Sequence, residues 1–271
     1  MGSSMRREIL QSFGCVAASG ARASIGVRSA FAEGRGIDPG LKFGVQLNAF
    51  PNDPKHFQSF TDALTQVKQI GYQGFESGFR NVSEQFAAPQ RARRRIKASG
   101  LAFFGVHVFL PTEMYGPSTR IAPLAIYQPV ARGGPALGAK HLILSGAPAA
   151  DADQLKQKIA ALNTAGTFAK SVGITAAYHN HSPEFESKIG EIEALCTKTD
   201  PALVSFVLDA GHAYRGGADV PAFPLAKVAA TEKQIHWKGW IENEEEREDL
   251  SKTGAQVIAP AYKAMKEAFS A

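Results

Sequence analysis

Between Phe43 and Leu208 the chain alternates short apolar runs with longer segments of helical period, and this alternation constrains the fold more than any other feature. The runs are Phe43 to Leu47, Gly74 to Glu76, Leu101 to Val108, His141 to Ser145, Ile174 to Tyr178 and Val204 to Leu208. Between the first two, apolar residues recur at Phe60, Leu64, Val67 and Ile70, one face of a helix that Gly71 ends. A helix also spans Leu155 to Val172, closed by Gly173. Near-continuous apolar strands separated by helices predict a parallel sheet covered on both faces. No Gly-rich dinucleotide turn follows a strand, which favours a TIM-type (β/α) barrel over a doubly wound sheet.

Polar groups gather where these strands end. Glu76 closes the second and His107 lies near the end of the third. His179 and His181 follow the fifth, and Asp209 and His212 follow the sixth. In a TIM barrel those ends open on one mouth, so side chains distant in sequence converge there. Carboxylates with imidazoles suit a divalent metal ion such as Mn²⁺, Mg²⁺, Co²⁺ or Zn²⁺. Such an ion polarises a sugar carbonyl and stabilises the enediolate formed when the neighbouring C–H loses its proton. A carboxylate base then returns that proton at a new position or face.

Two motifs sharpen the reading: Tyr178-His179-Asn180-His181-Ser182-Pro183-Glu184-Phe185 and Leu208-Asp209-Ala210-Gly211-His212. On these the chain, from about Lys42 onward, resembles the sugar phosphate isomerase/epimerase family of xylose isomerase-like TIM barrels. The resemblance implies that Asp209 is a metal ligand and that His212 contacts substrate. It implies that Glu184 is a catalytic carboxylate against substrate hydroxyls, and that Glu76, His107 and His179 are substrate-binding groups. In such relatives the fifth strand ends in a metal-binding glutamate, where Tyr178 stands here. His181 or His179 is then the substitute ligand, with His181 preferred. His56 and His141 read as structural.

The pattern breaks after Asp209. The family carries a seventh strand with a His-x-Lys-Asp signature and an eighth ending in glutamate, but this sequence has room for one more strand only. Either His236-Trp237-Lys238 is a degenerate seventh strand, or Gly239 to Glu244 is the eighth and the seventh βα unit is missing. Trp240-Ile241 followed by acids, and a closing helix with apolar Val257, Ile258, Ala261, Met265 and Phe269, favour the second. Glu244 (or Glu242) is then both metal ligand and catalytic carboxylate. The expected barrel is incomplete, with an open edge or a strained seven-strand closure. It lacks one histidine ligand, so the ion is held weakly or not at all. An unpaired edge also favours a homo-oligomer.

The N-terminus reads differently from the rest. Met5-Arg6-Arg7-Glu8-Ile9-Leu10, then an Ala/Gly/Ser-rich stretch ending at Ala30-Phe31-Ala32, reads as a twin-arginine signal over residues 1–32, with 33–41 a linker and 42–271 the barrel domain. Export places the protein in the periplasm; a leader that does not function leaves it in the cytoplasm. The net charge of +5 includes +3 from residues 1–32, so the remainder is only +2, too little to argue for nucleic acid. No run is long enough for a membrane span once the leader is set aside. Cys15 falls in the leader and leaves Cys196 alone, a buried helical thiol in this reading.

Three functions follow. The first is a metal-dependent isomerase or epimerase of a small-molecule sugar or polyol. The second is a non-catalytic carbohydrate-binding relative that has lost part of its metal site. The third, an apurinic-site endonuclease, is disfavoured by the small basic excess and the short ligand set.

Overall fold

The structure, a computed structural model, describes residues 13–19, 37, 39–217, 239–245 and 251–270. Its strands are β1 (Phe13–Ser19), β2 (Leu41–Gln46), β3 (Gly74–Gly78), β4 (Ala102–Val108), β5 (His141–Leu144), β6 (Thr175–His179), β7 (Val204–Asp209) and β8 (Gly239–Glu244). Its main helices are α1 (Phe57–Ile70), α2 (Pro89–Ala98), α3 (Leu124–Leu137), α4 (Ala152–Ser171), α5 (Ser182–Glu186), α6 (Glu191–Lys198), α7 (Ala210–Arg215) and α8 (Gly254–Ser270). No described helix is long and apolar enough to cross a membrane.

The seven strands from Leu41 to Glu244 are parallel and form an incomplete TIM barrel, as the alternation of runs predicts. β8 pairs with β2, so Gly239–Glu244 takes the terminal-strand place, and among the described residues no βα unit stands between β7 and β8. The Ala218 to Ala230 stretch and His236-Trp237-Lys238 lie outside the described residues. In place of the expected open edge or strained closure, β1 occupies the gap. It runs parallel to both β7 and β8, and the ring closes in the order β1-β7-β6-β5-β4-β3-β2-β8. An edge strand exposes a row of unpaired N–H and C=O groups, and β1 satisfies two such rows at once. β1 lies inside the segment read as a leader; Met5-Arg6-Arg7 and Ala30-Phe31-Ala32 are outside the described residues.

Helix α1 buries Phe60, Ala63, Leu64 and Val67 and ends at Gly71, whose φ of 115° suits only glycine. Helix α8 shields the seam between β8 and β2. Tyr72 donates to the Ile258 carbonyl at 3.1 Å and Tyr262 to that of Gly71 at 2.9 Å, while Phe269 packs edge-on against Phe43. Inside the barrel, Ile143, Ala177 and Val207 meet Trp240, and Trp240 stacks on Phe104 with centroids 4.6 Å apart. Those two rings explain the glycines opposite. A Cβ at Gly44 would lie 2.4 Å from Phe104, and one at Gly74 2.5 Å from Trp240. This apolar plug forms the floor on which the polar mouth sits.

Candidate active site

Period-two alternation continues upward from that floor. Ala177 is followed two residues later by His179, Val207 by Asp209 and Ile143 by Ser145, and Trp240 is followed by Glu242 and Glu244. The mouth therefore collects the last inward side chains of these strands.

His179, Asp209 and Glu244 bring one ligand atom each within 4.8 Å of one another, and all three are buried. His179 Nε2 lies 3.7 Å from Asp209 Oδ2 and 3.5 Å from Glu244 Oε2. Burial alone would push the imidazole down, but the Glu244 and Asp209 carboxylates outweigh it and lift its pKa to about 9. Burial likewise opposes ionisation of Asp209, yet His179 and His212 hold its carboxyl below the usual range. Both His179 nitrogens lack a hydrogen-bond partner among the described residues. One buried nitrogen donor and two carboxylates around one point are a donor set that fits a divalent cation. Glu242 is buried one layer deeper on the same strand face.

Asn180 sets the position of Asp209. Its side-chain amide donates to the Asp209 carbonyl at 3.0 Å and its oxygen accepts from the Asp209 N–H at 2.9 Å. The strand ends here, so His179 points inward while His181, two residues on, already caps α5. His181 consequently stands apart from Glu244 and groups with His179 and His212; its ring centroid is 4.7 Å from that of His212 and 5.3 Å from that of Phe109. Burial and the neighbouring imidazoles drive its pKa far down. Of the two candidate histidines, His179 is the one that the structure brings to Asp209 and Glu244.

Across the mouth, Glu76 Oε1 sits 2.9 Å from His107 Nδ1 and accepts from Gln46 Nε2 at 2.7 Å. His107 Nε2 is 2.6 Å from Ser145 Oγ. In a neutral ring whose Nδ1–H donates to the carboxylate, Nε2 accepts from the serine hydroxyl. Burial pushes the His107 pKa down against the pull of Glu76, and the ring links acid and hydroxyl. Burial raises Glu76 and the charge of His107 more than offsets it, leaving the carboxyl low. The sequence does not mark Gln46 or Ser145: neither carries charge, and only the strand register brings them to the mouth.

Glu184 is held differently from the substrate-facing role that its motif implies. Its Oε1 receives Lys158 Nζ at 2.5 Å and the Tyr178 hydroxyl, and its Oε2 accepts the His181 N–H at 2.8 Å. Lys158 also reaches Glu191 at 2.7 Å and the Ala147 carbonyl at 3.0 Å. Tyr178, which stands where the resemblance implies a glutamate, faces this network, and burial followed by Glu184 raises its pKa well above the ordinary range. Lys158 lies 26 residues before Glu184, and nothing in its local sequence marks it as a partner. Cys196 is a half-buried free thiol whose pKa burial pushes up to about 12, which makes it a poor nucleophile.

A model of the xylose isomerase-like TIM barrel family matches residues 64–261. An inosose dehydratase of Mesomycoplasma hyopneumoniae strain J is 24% identical over 195 residues, 66% of this chain and 62% of that protein. The chain thus spans less than two thirds of that relative's length. A sugar phosphate isomerase/epimerase from Parabacteroides distasonis has a similar structure, with a TM-score of 0.68 at 21% identity over 93% of this chain and 100% of that one. A xylose isomerase-like TIM barrel protein from Mycobacterium smegmatis, solved with magnesium, aligns with a TM-score of 0.56 at 13% identity over 84% of this chain and 98% of that one.

Proposed function

Because the chain belongs to the xylose isomerase-like TIM barrel family, we propose that it is a divalent-metal-dependent enzyme of a sugar or polyol that removes a proton beside a carbonyl, as an isomerase or epimerase does. The observation that carries this reading is the meeting of His179, Asp209 and Glu244 at one buried point. These three residues would hold the cation, which supplies positive charge for the carbonyl oxygen of the substrate.

The rest of the mouth suits a hydroxyl-rich ligand. Glu76, His107, Ser145 and Gln46 form one hydrogen-bonded row, with Glu76 Oε2 and Gln46 Oε1 lacking a partner among the described residues. Phe109, half exposed beside His181, gives an apolar surface for the C–H face of a sugar ring. Glu244 serves as the base that takes the proton. Glu184, neutralised from behind by Lys158, holds the β6–α5 turn and sits outside the proton path. Loss of a C–H proton next to a carbonyl is a first step open to both dehydration and isomerisation of a sugar, and that step is assigned here.

The second reading, a non-catalytic carbohydrate binder, is favoured by one observation: Glu184 is committed to Lys158 and Tyr178, so the mouth holds fewer acids than the motifs imply. Incubation with a panel of ketoses and inososes in D₂O separates the two. The enzyme reading expects solvent deuterium at the carbon beside the carbonyl, lost with EDTA and in Glu244→Gln. Binding without exchange for every member of the panel favours the second reading.

A further inference from the structure

Three imidazoles, those of His179, His181 and His212, bring ligand atoms within 4.8 Å of one another, which outlines a second cation site beside the His179–Asp209–Glu244 group. The hydrogen bonds of His212 decide otherwise. Its Nδ1 lies 2.9 Å from Arg215 Nη2 and 3.0 Å from Ser182 Oγ. A guanidinium has N–H groups only and offers no acceptor, so Arg215 donates and Nδ1 accepts. A proton on Nδ1 would point at another proton across that contact. An imidazole accepting at Nδ1 carries its hydrogen on Nε2, and that nitrogen is the one 3.5 Å from Asp209 Oδ2. A nitrogen bearing a proton has no lone pair for a metal.

We propose that Arg215, one helical turn beyond His212 on α7, is a positioning residue that locks His212 as its Nε2–H tautomer, turning the third imidazole of the cluster from a cation ligand into a hydrogen-bond donor to a ligand oxygen. This rests on the reading of the mouth as a site for a hydroxylated carbonyl compound. Given that reading, His212 offers its hydrogen on the Asp209 side of the mouth, where it selects an oxygen that can accept, a carbonyl or an alkoxide-like oxygen. In the opposite tautomer Nε2 would instead demand a hydroxyl proton or bind an ion. The side chain of Arg215 is exposed at the rim, outside the apolar core, so Arg215→Met is expected to leave the barrel folded.

Long-range ¹H–¹⁵N correlation of labelled full-length protein reads the tautomer directly. The wild type is expected to show His212 as Nε2–H, Arg215→Met a mixture, and Arg215→Lys a return to Nε2–H because an ammonium also donates only. Zinc bound per chain, measured after equilibration with Zn²⁺ and gel filtration, is expected to be one in the wild type and still one in His212→Ala. His212 as Nδ1–H in the wild type, an unchanged tautomer in Arg215→Met, or loss of a zinc ion in His212→Ala would overturn the proposal. A chain that binds no zinc while the tautomer results hold supports the Arg215 lock and overturns the cation centre instead.

Discussion

The arc from β2 to β7 and the seam formed by β7, β1 and β8 solve the same closure problem by different means. Along the arc each strand follows its predecessor through a helix that packs on it, and neighbours in sequence are neighbours in the ring. Among the described residues no such unit stands at the seam. A segment from the start of the chain lies between β7 and β8, with Ala17 in register with Asp209 and Ser19 with Glu244. The two carboxylates of the candidate metal centre therefore stand on strands that are one strand apart, and β1 sets the spacing between them. The arc builds the substrate side of the mouth; the seam decides whether the acids meet.

This contrast makes residues 1–32 the place to break the account. A chain lacking them exposes the edges of both β7 and β8 and is expected to lose stoichiometric metal and to self-associate, seen as larger species in light scattering. Intact mass of the protein recovered from its native host adds a sharper point. A start at Glu33 means that the seam closes without β1, whereas a retained N-terminus means that this segment serves as a strand rather than a leader. The arc, by contrast, is expected to fail only when its own buried charges are disturbed. Lys158→Met leaves Glu184 and Glu191 as two buried carboxylates without their cation, which costs about 3–5 kcal/mol in denaturant melts.

Asn180→Ala joins arc to seam and sharpens the comparison at smaller scale. It removes both bonds that fix the Asp209 backbone, and a loss of about tenfold in metal affinity with a stability change near 1–2 kcal/mol is expected. The smallest effect is one of pH. In the metal-free protein the pKa of His179 is raised to about 9 from an ordinary 6.5. Its contribution to stability is therefore complete below about 6.5 and lost as pH rises through 9. Metal binding must displace that proton, so affinity for the cation should increase across the same window. A thermal midpoint and a metal affinity that are both flat from pH 6 to 9 would show that the imidazole does not face the two acids.

What the sequence discloses follows the same division. Helix Phe57–Ile70 is legible residue by residue because its buried face repeats at three and four, and Val204–Asp209 because its apolar run is unbroken. Asp209 and Glu244 are legible as acids ending strands. Phe13–Ser19 is not: an Ala- and Ser-containing stretch carries too little apolar bulk to read as a strand, and its partners lie about 190 and 225 residues away. His179 and His181 share a face for as long as the strand continues, so only its end at His179 separates them. Glu184 shows its family motif but conceals Lys158, and Asn180, Gln46 and Ser145 carry no charge that would announce them.

The account turns on a cation held jointly by His179, Asp209 and Glu244. The metal content of purified wild type and Asp209→Ala, compared at equal folded fraction by circular dichroism, tests it most directly. One divalent ion per chain in the first and none in the second is the predicted result; the same content in both, or none in either, contradicts it.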